Sequence, residues 1–300
     1  MFSIIIPSLN NLEYLKLCIH SIQKNSKYNH DIVVHSNIGS DGTLEYLRKN
    51  NIKHTHTNYN SGICKAVNTG ATQASTKFII YAHDDFYFLP GWDDAYLDEI
   101  KKQSNNLYYL SGTMVQNGQV KFDCGDNLEN FNEQKLLDNF HKINYYDFQG
   151  STWAPHLIHK ELWDKVGGFS EEFFPGTGSD PDLNMKLWNE GVRIFKGLSS
   201  CKVYHFGSIV TRKYQDKNIK TESGSKGGKI FLLKWGFKIK FFNKHFLRGC
   251  ISKNGLIICN KFDGPLQEPV KNLIYFYELF LSKLSFLYNK LFIKNYEYRK

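Results

Sequence analysis

The 300-residue sequence predicts an α/β fold built on a parallel sheet. Short apolar runs alternate with helical patterns through the first two hundred residues, which is typical of strands that are covered on both faces. Polar loops rich in Asn, Ser, Asp and Gly follow four of these runs directly. Because ligands bind beyond the carboxyl ends of the strands in such folds, these loops are the predicted functional site.

The elements alternate regularly along the chain. The first helix is predicted because Leu12, Leu15, Ile19 and Ile22 recur at helical spacing. Four strands are predicted at Phe2–Ile6, Ile32–Val34, Ile52–His56 and Phe78–Ala82. Helices are predicted between them at Leu12–Lys24, Thr43–Asn50 and Gly62–Gln73. Further strands are predicted at Leu107–Gln116 and Trp153–Ile158, with a helix at Asn132–His141.

Composition limits the class of protein. With 41% hydrophobic residues the chain can bury a core and is not disordered. The formal net charge is +9, and much of it lies between Arg212 and Lys261, where Asp216 and Glu222 are the only acidic residues. No nucleic-acid-binding motif accompanies this basic segment, so nucleic acid is not an expected partner.

The six cysteines are scattered and form no C-x-x-C pair, so we expect reduced, mostly buried thiols rather than a zinc site or a disulfide framework. The opening residues Met1–Asn11 lack the basic start and the longer apolar stretch of a signal peptide. No run of eighteen residues is both apolar and free of charge, so no single spanning helix is expected. These features indicate a cytoplasmic protein.

Four loops carry the informative residues. They are Pro7–Asn10, Ser36–Thr43, Asn60–Gly62 and His83–Asp85. The first three could each be an ordinary turn or a helix N-cap. In the fourth, two adjacent carboxylates end a buried strand and repel each other unless a cation or a proton lies between them. A divalent cation with oxygen ligands and a solvated turn both remain open for His83–Asp85 taken alone.

The order of these motifs is more specific than any one of them. Together with Gly167–Phe169, Ser179–Leu183 and Val203–Ser208, they resemble the family 2 glycosyltransferases of GT-A fold over residues 1–210. The resemblance implies an inverting enzyme that moves a sugar from a nucleotide diphosphate donor to a glycan or lipid-linked acceptor. A role in assembling surface polysaccharide or other glycans is the corresponding expectation.

The resemblance also implies roles for carboxylates and histidines. Asp85, beside Asp84 and His83, matches the Asp-x-Asp-type motif, and His205 matches a late histidine that completes a metal site for Mn²⁺ or Mg²⁺. Asp180 matches the general base, although a helix N-cap would explain its position equally well. Asp182 is expected either to interact favourably with the N-terminal end of the helix dipole or to bind the acceptor.

Donor and acceptor contacts follow from the same comparison. The nucleotide, with UDP expected, is assigned to Pro7, Ser8, Asn10, Ser36, Asn37, Asp41, Asn60, Gly62, Asn68 and Asp84. The sugar or the acceptor is assigned to Trp92, Trp153, His156 and Asp182. The sequence departs from the family in two places, because Ser36 or Asn37 stands where an acidic residue is usual and Ser179 replaces a glutamate.

The remaining third has a different character. Residues 211–228 are predicted to be a linker or mobile loop, and residues 229–300 a helical, basic and aromatic extension. Five aromatic or aliphatic residues form one predicted helical face: Phe231, Trp235, Ile239, Phe242 and Phe246. A second helix is predicted at Leu273–Lys294. Packing on the catalytic domain, packing in a homo-oligomer and peripheral binding to the cytoplasmic face of a membrane all remain open.

Two other functions compete with sugar transfer. A sugar-nucleotide pyrophosphorylase shares the α/β architecture and the metal, but it should carry a Gly-rich basic loop after the first strand, which Pro7–Asn10 is not. A catalytically inactive, carbohydrate-binding or scaffold homologue is compatible with the departures at Ser36 and Ser179.

Overall fold

Nine strands form one central sheet in the part of the chain that the structure describes. The structure is a computed structural model, and it describes residues 1–150, 152–207, 217–253 and 256–292. The strands are β1 (Ser3–Leu9), β2 (Asp31–Asn37), β3 (Lys53–Thr57), β4 (Phe78–Tyr81), β5 (Phe86–Phe88), β6 (Tyr108–Gln116), β7 (Phe148–Gln149), β8 (His156–His159) and β9 (Ile194–His205).

The helices lie between these strands and cover the sheet. They are α1 (Leu12–Asn25), α2 (Thr43–Lys49), α3 (Gly62–Ala71), α4 (Trp92–Ile100), α5 (Glu133–Asn139), α6 (Lys160–Val166) and α7 (Ser179–Asn189). Single 3₁₀ turns occur at Phe140–Lys142 and Glu171–Phe173.

The sheet order is β3-β2-β1-β4-β8-β6-β9-β5, with β7 paired to β9. The four strands β3, β2, β1 and β4 are parallel, as the alternation of strands and helices predicts. Beyond β4 the sheet is mixed, because β8 runs antiparallel to both β4 and β6. The α/β prediction is confirmed.

The core follows from the apolar runs. Ile4, Ile5 and Ile6 of β1 are fully buried because β1 lies inside the sheet with helices on its faces. β1 extends past Pro7 to Leu9, three residues beyond the predicted strand. Only β2 pairs with β1 at this point, since the pairing with β4 ends at Ile5, so the missing N–H of Pro7 removes no bond to β4.

The segment after the catalytic sheet is helical where a linker is predicted. Helix α8 (Lys217–Trp235) includes most of the predicted linker 211–228, and residues 208–216 lie outside the described residues. The polar, Ser- and Gly-rich composition suggested a loop, but the apolar residues Ile230, Phe231 and Leu232 at its end are buried against the core. Packing outweighs the low helix propensity of glycine and serine here.

The predicted face from Phe231 to Phe246 is not one helix. Gly236, with a φ of 76°, ends α8, and the chain restarts as α9 (Ile239–Phe242) followed by a π-helical turn at Asn243–Leu247. The aromatic rings still pack together, since Phe242 lies 6.0 Å from Phe231 and 5.5 Å from Phe246 between ring centroids. For this segment, packing on the catalytic domain is the alternative that the structure supports.

The expectation of six reduced cysteines is wrong for one pair. Strands β10 (Ile251–Lys253) and β11 (Leu256–Ile258) form an antiparallel hairpin, which brings Cys250 and Cys259 together as a disulfide. The two residues are separated by a turn that cannot be recognised from cysteine spacing alone. The other four cysteines are reduced and buried.

The last described helix is α10 (Leu273–Phe292), close to the predicted Leu273–Lys294. Among the described residues, none of the helices combines the length and apolar character needed to cross a bilayer.

Candidate active site at the carboxyl edge of the sheet

The predicted loops meet at one edge of the sheet. The Ser8 hydroxyl near the end of β1 donates to Oδ2 of Asp84, which follows β4, at 2.7 Å. The Asn10 amide exchanges two hydrogen bonds with Ser40 in the loop after β2. Because parallel strands end at the same edge, residues far apart in sequence share one surface, as predicted.

Asp85 lies between two histidines. Its Oδ1 is 3.9 Å from Nδ1 of His83, and its Oδ2 is 3.7 Å from Nε2 of His205. Ligand atoms of the three residues all lie within 4.8 Å of one another. Asp85 and His205 are buried, whereas His83 is about 30% exposed on its side chain.

His205 reaches this position through strand pairing. β5 and β9 are antiparallel with Phe86 opposite His205, which sets His205 beside the residue that precedes β5. The Nδ1 of His205 lies 2.8 Å from the Asn117 carbonyl, and the Asn117 amide donates to the His205 carbonyl at 2.8 Å. Since a carbonyl only accepts, Nδ1 carries a proton, and Nε2 is the nitrogen directed at Asp85.

The charges of the loop suit a cation. Burial lowers the pKa of His83 to about 4 against the opposing influence of Asp85, so its imidazole is neutral at pH 7. Burial, followed by the negative charge of Asp85, raises the pKa of Asp84 to about 7. The hydrogen bond from Ser8 opposes that rise. A cation at this loop would offset the repulsion between the two carboxylates.

The donor set fits a divalent transition metal. One carboxylate and two imidazoles, one of which holds a proton on the nitrogen that faces a backbone carbonyl, form a mixed oxygen and nitrogen set. Such a set suits Mn²⁺ better than Mg²⁺, which prefers oxygen ligands alone. His83, Asp85 and His205 are therefore the residues that could hold a metal.

Asp180 stands in the first turn of α7. The helix begins at Ser179 after Gly178, so Asp180 is the second helical residue and not the N-cap. Burial raises its pKa to about 7, and its enclosed Oδ1 has no hydrogen-bond partner among the described residues. A carboxylate with a raised pKa and an unused oxygen is suited to accept a proton near neutral pH.

Tyr81, the last residue of β4, is influenced by the charges of Asp180 and of the carboxylates in the loop His83–Asp85. Its pKa is raised well above the usual value, first by burial and then by the negative charges of Asp180, Asp84 and Asp85, among others. The charges of all three carboxylates therefore reach Tyr81 at the end of β4. The predicted base and the predicted metal-binding loop thus have Tyr81 as a common neighbour.

Asp182 has a structural role that corrects its assignment to the acceptor. It is fully buried, and its oxygens accept from Ser170 Oγ at 2.5 Å and from Trp235 Nε1 at 2.8 Å. The Lys234 ammonium lies 3.0 Å from the same carboxylate. Asp182 thus anchors the end of α8 to the catalytic domain and has no oxygen directed at solvent.

Three residues assigned to the nucleotide are used inside the protein. The side-chain oxygen of Asn37 accepts from the backbone and the hydroxyl of Ser61, at 2.8 and 2.7 Å. The amide of Asn68 donates to the Phe169 carbonyl and accepts from the Phe169 N–H. Ser36 is buried, and its hydroxyl has no partner among the described residues. The assignments of Ser36 and Asn37 are corrected because both side chains are buried, whereas Asn68 is partly exposed and its amide is bound to Phe169.

The other nucleotide assignments lie at the site's edge. Asp41 is exposed, and it accepts hydrogen bonds from the N–H groups of Leu12 and Thr43, so it joins the loop after β2 to the start of α1. Asn60 is exposed and accepts from the Gly62 N–H. Gly62 has a φ of 75°, and a Cβ there would lie 2.6 Å from the Phe174 ring, so only glycine fits. Pro7 and Asn10 are partly exposed.

Two residues assigned to the sugar or the acceptor are in the core. Trp92 is fully buried against Phe2 and Phe88, and its Nε1 donates to Ser26 Oγ. His156 is also fully buried. Both assignments are corrected, because neither side chain can touch a ligand in this conformation. Trp153 remains partly exposed.

His156 is an unusual core histidine. Its ring packs against Tyr81 and Tyr109 at 5.1 and 4.8 Å, and neither ring nitrogen has a hydrogen-bond partner among the described residues. Burial lowers its pKa to about 3. We expect His156→Phe to raise the free energy of unfolding at pH 7 by about 1–2 kcal/mol, because the substitution removes unpaired polar atoms from an aromatic environment. Urea unfolding measures this difference.

The matched control is His159→Phe on the same strand. The Nδ1 of His159 accepts from the Glu161 N–H at 3.3 Å at the start of α6, so this substitution removes a cap and should give no gain. A His156→Phe protein that is less stable than the wild type would show that the His156 nitrogens are paired in solution.

Sequence reasoning missed the residues that position the site. Asn117 orients His205 through its backbone and its side chain, and Ser8 holds Asp84. From the sequence, Ser8 is assigned to the nucleotide and Asn117 has no role. No local sequence pattern indicates that Ser8 contacts Asp84 or that Asn117 contacts His205. Only the β6–β9 pairing and the β1–β4 pairing reveal them.

Comparisons with known proteins agree with this geometry. The model of the family described as glycosyl transferase family 2 matches residues 3–154, just over half of the chain. No curated protein matches the chain in sequence.

Solved structures share the fold at low sequence identity. The S. aureus TarS 1–349 structure is 16% identical, with a TM-score of 0.52, and the match covers 77% of this chain and 71% of that one. The GalNAc-T7 structure with UDP, GalNAc and Mn²⁺ is 16% identical, with a TM-score of 0.53, covering 68% of this chain and 43% of that one.

A third structure, TarS 1–349 in complex with UDP-GlcNAc, is 16% identical with a TM-score of 0.51 and covers 81% of this chain and 74% of that one. The sheet order, the loops at its carboxyl edge and the family match agree with one another. The chain belongs to glycosyl transferase family 2, and its catalytic sheet has the GT-A fold.

Proposed function

We propose that this protein is an inverting, metal-dependent glycosyltransferase that moves a sugar from a nucleotide diphosphate donor to a glycan or lipid-linked acceptor. The observation that carries the proposal is the cluster of His83, Asp85 and His205 at the carboxyl edge of the sheet, beside Tyr81, whose side chain also experiences the charge of Asp180. Family membership supports sugar transfer in general.

The cluster is proposed to receive the donor diphosphate. His83, Asp85 and His205 would hold Mn²⁺ or Mg²⁺, and the cation, when bound, acts as a Lewis acid that offsets the charge of the departing nucleoside diphosphate. Asp84 is proposed to support this loop through its bond to Ser8. GalNAc-T7 was crystallised with UDP and Mn²⁺, which supports the same ligands here.

Asp180 is proposed to be the general base. Its carboxylate would take the proton from the acceptor hydroxyl as that oxygen attacks the anomeric carbon and the bond to the nucleoside diphosphate breaks. A single displacement of this kind inverts the configuration of the sugar. The pKa of about 7 makes Asp180 a stronger base than an ordinary carboxylate while leaving a large fraction ionised at neutral pH.

The donor nucleotide is proposed to be UDP, since TarS was crystallised with UDP and with UDP-GlcNAc. Pro7, Asn10, Asp41 and Asn60 remain the proposed contacts at the exposed edge of the site, and Trp153 remains the proposed sugar or acceptor contact. We propose assembly of surface polysaccharide or a related glycan at the cytoplasmic face of a membrane as the setting.

The release of nucleoside diphosphate from a panel of nucleotide sugars tests the proposal without knowledge of the acceptor. We expect slow hydrolysis of one UDP-sugar with Mn²⁺, and its loss after the metal is removed with EDTA. The inactive, scaffold alternative predicts no release from any donor. Hydrolysis that is unaffected by EDTA would contradict the metal-dependent part of the proposal.

A further inference from the structure

The polar face of helix α10 (Leu273–Phe292) packs against the rest of the protein. Glu278 pairs with Lys244 and His245, each at 2.6 Å, and Ser282 is only 2% exposed. Ser285 and Asn289, which continue the same helical stripe, are partly buried. The narrow polar stripe is therefore the face that contacts the rest of the protein.

The opposite side of α10 is apolar and faces outward. Six of its large side chains, each about half exposed or more, recur at spacings of three and four: Leu273, Phe276, Phe280, Leu284, Leu287 and Leu291. Ile274, Tyr277, Leu281 and Tyr288 are exposed beside them and widen the face. An exposed apolar surface of this extent indicates a binding surface rather than scattered exposed residues.

The charges around this face favour one occupant. Lys271 precedes the helix, and Lys283 and Lys290 lie along it, all three exposed. Glu278 is the only acidic residue between Pro269 and Phe292, and its carboxylate is paired toward the protein. A second copy of the helix would bring like charges together, whereas anionic lipid headgroups complement them.

The width of the apolar face of α10 also favours a membrane over a second helix. A two-helix seam needs a narrow apolar stripe, whereas a helix lying in a membrane surface buries a broad apolar face with cations at its margin. None of the described helices can cross a bilayer, so the contact would be along the surface. We propose that α10 docks the protein on an anionic membrane, with its Leu- and Phe-rich face among the acyl chains. The proposal stands apart from the reaction and does not depend on it.

Co-sedimentation of the full chain with vesicles tests this surface. We expect binding to phosphatidylcholine vesicles that contain about a quarter phosphatidylglycerol, at least about tenfold tighter than to phosphatidylcholine alone, and weaker in high salt. Leu284→Ser combined with Leu287→Ser should abolish binding to both. Lys283→Glu combined with Lys290→Glu should lower only the preference for anionic vesicles, by about tenfold or more.

The control is Ile251→Ser, which changes an apolar residue that is 59% exposed on the β10–β11 hairpin, outside α10. It should bind vesicles like the wild type, and a thermal scan should show that every variant is folded. The proposal would be overturned if the wild-type protein sedimented with neither of the two kinds of vesicle. A dimer in analytical ultracentrifugation that the Leu284→Ser, Leu287→Ser protein loses would also overturn it, because a second copy would then cover the face.

Discussion

Asp180→Asn is expected to lower sugar transfer by about 10²–10⁴-fold, the usual contribution of a general base. The substitution preserves the shape of the side chain and removes only its ability to take a proton. Affinity for the nucleoside diphosphate should change little, because Asp180 is not one of the proposed metal ligands and belongs to a separate element, α7. Release of nucleoside diphosphate from the preferred donor measures the rate, and calorimetry measures the affinity.

The pH dependence gives an independent check on the same residue. The pKa of Asp180 is about 7, so the wild-type kcat/KM should rise with pH and level off above about 7, and the Asn variant should lack this limb. The pKa in the fold is higher than in the unfolded chain, so this group costs stability as pH rises from about 4 to 7. The Asn variant should therefore be the more stable protein at neutral pH.

Asp182→Asn is the matched control for Asp180→Asn. It lies two residues further along α7, but its carboxylate binds Ser170, Lys234 and Trp235. We expect a loss of about 1–3 kcal/mol of stability and retention of most activity. The opposite pattern, with activity lost in Asp182→Asn and kept in Asp180→Asn, would contradict the assignment of the base.

Asp85→Asn is expected to lower turnover by about 10³-fold or more, because the metal supplies several kcal/mol of charge stabilisation and each 1.4 kcal/mol is tenfold in rate. Asp85 is the one carboxylate between the two histidines of the cluster. Binding of Mn²⁺, followed by electron paramagnetic resonance, should weaken in parallel with the rate.

Asp94→Asn is the control for this change, since Asp94 is a partly exposed carboxylate on α4 that pairs with Lys27 at 3.2 Å. It should bind Mn²⁺ and turn over like the wild type, because surface ion pairs contribute little. If the Asp85→Asn protein keeps both its Mn²⁺ binding and its turnover, then Asp85 is not a metal ligand or the metal has no part in the reaction.

The parallel part of the sheet and its loops could be predicted from sequence for a physical reason. A strand buried on both faces must be apolar throughout, as Ile4–Ile6 and Phe78–Tyr81 are, and a ligand loop must be polar. The carboxyl-edge rule then places the loops together. The pairing of β5 with β9 could not be predicted in this way, and it is this pairing that brings His205 to Asp85.

Three polar residues misled the prediction because one residue type serves two purposes. Asn37, Asn68 and Asp182 look like ligand-binding residues in sequence. Amides and carboxylates also satisfy buried backbone and side-chain donors, and all three do so here. Only the positions of Ser61, Phe169 and Trp235, which are distant in sequence, decide between the two uses.

Periodicity predicts the helix at Leu273 but not its orientation. A polar stripe at helical spacing is normally expected to face water, yet Glu278 and Ser282 face the protein. The partners of Glu278 are Lys244 and His245, more than thirty residues away, so the sequence alone cannot give the direction.

The most direct measurement is the thermal stability of the purified protein with UDP, GDP, dTDP and CDP, each with and without Mn²⁺. A ligand that binds only the folded state at about a hundred times its Kd adds about 2.7 kcal/mol of stability. We expect UDP with Mn²⁺ to stabilise the wild type and neither ligand alone to do so comparably, with no such effect in Asp85→Asn. No stabilisation by any nucleotide, or equal stabilisation with and without metal, would contradict a metal-dependent donor site.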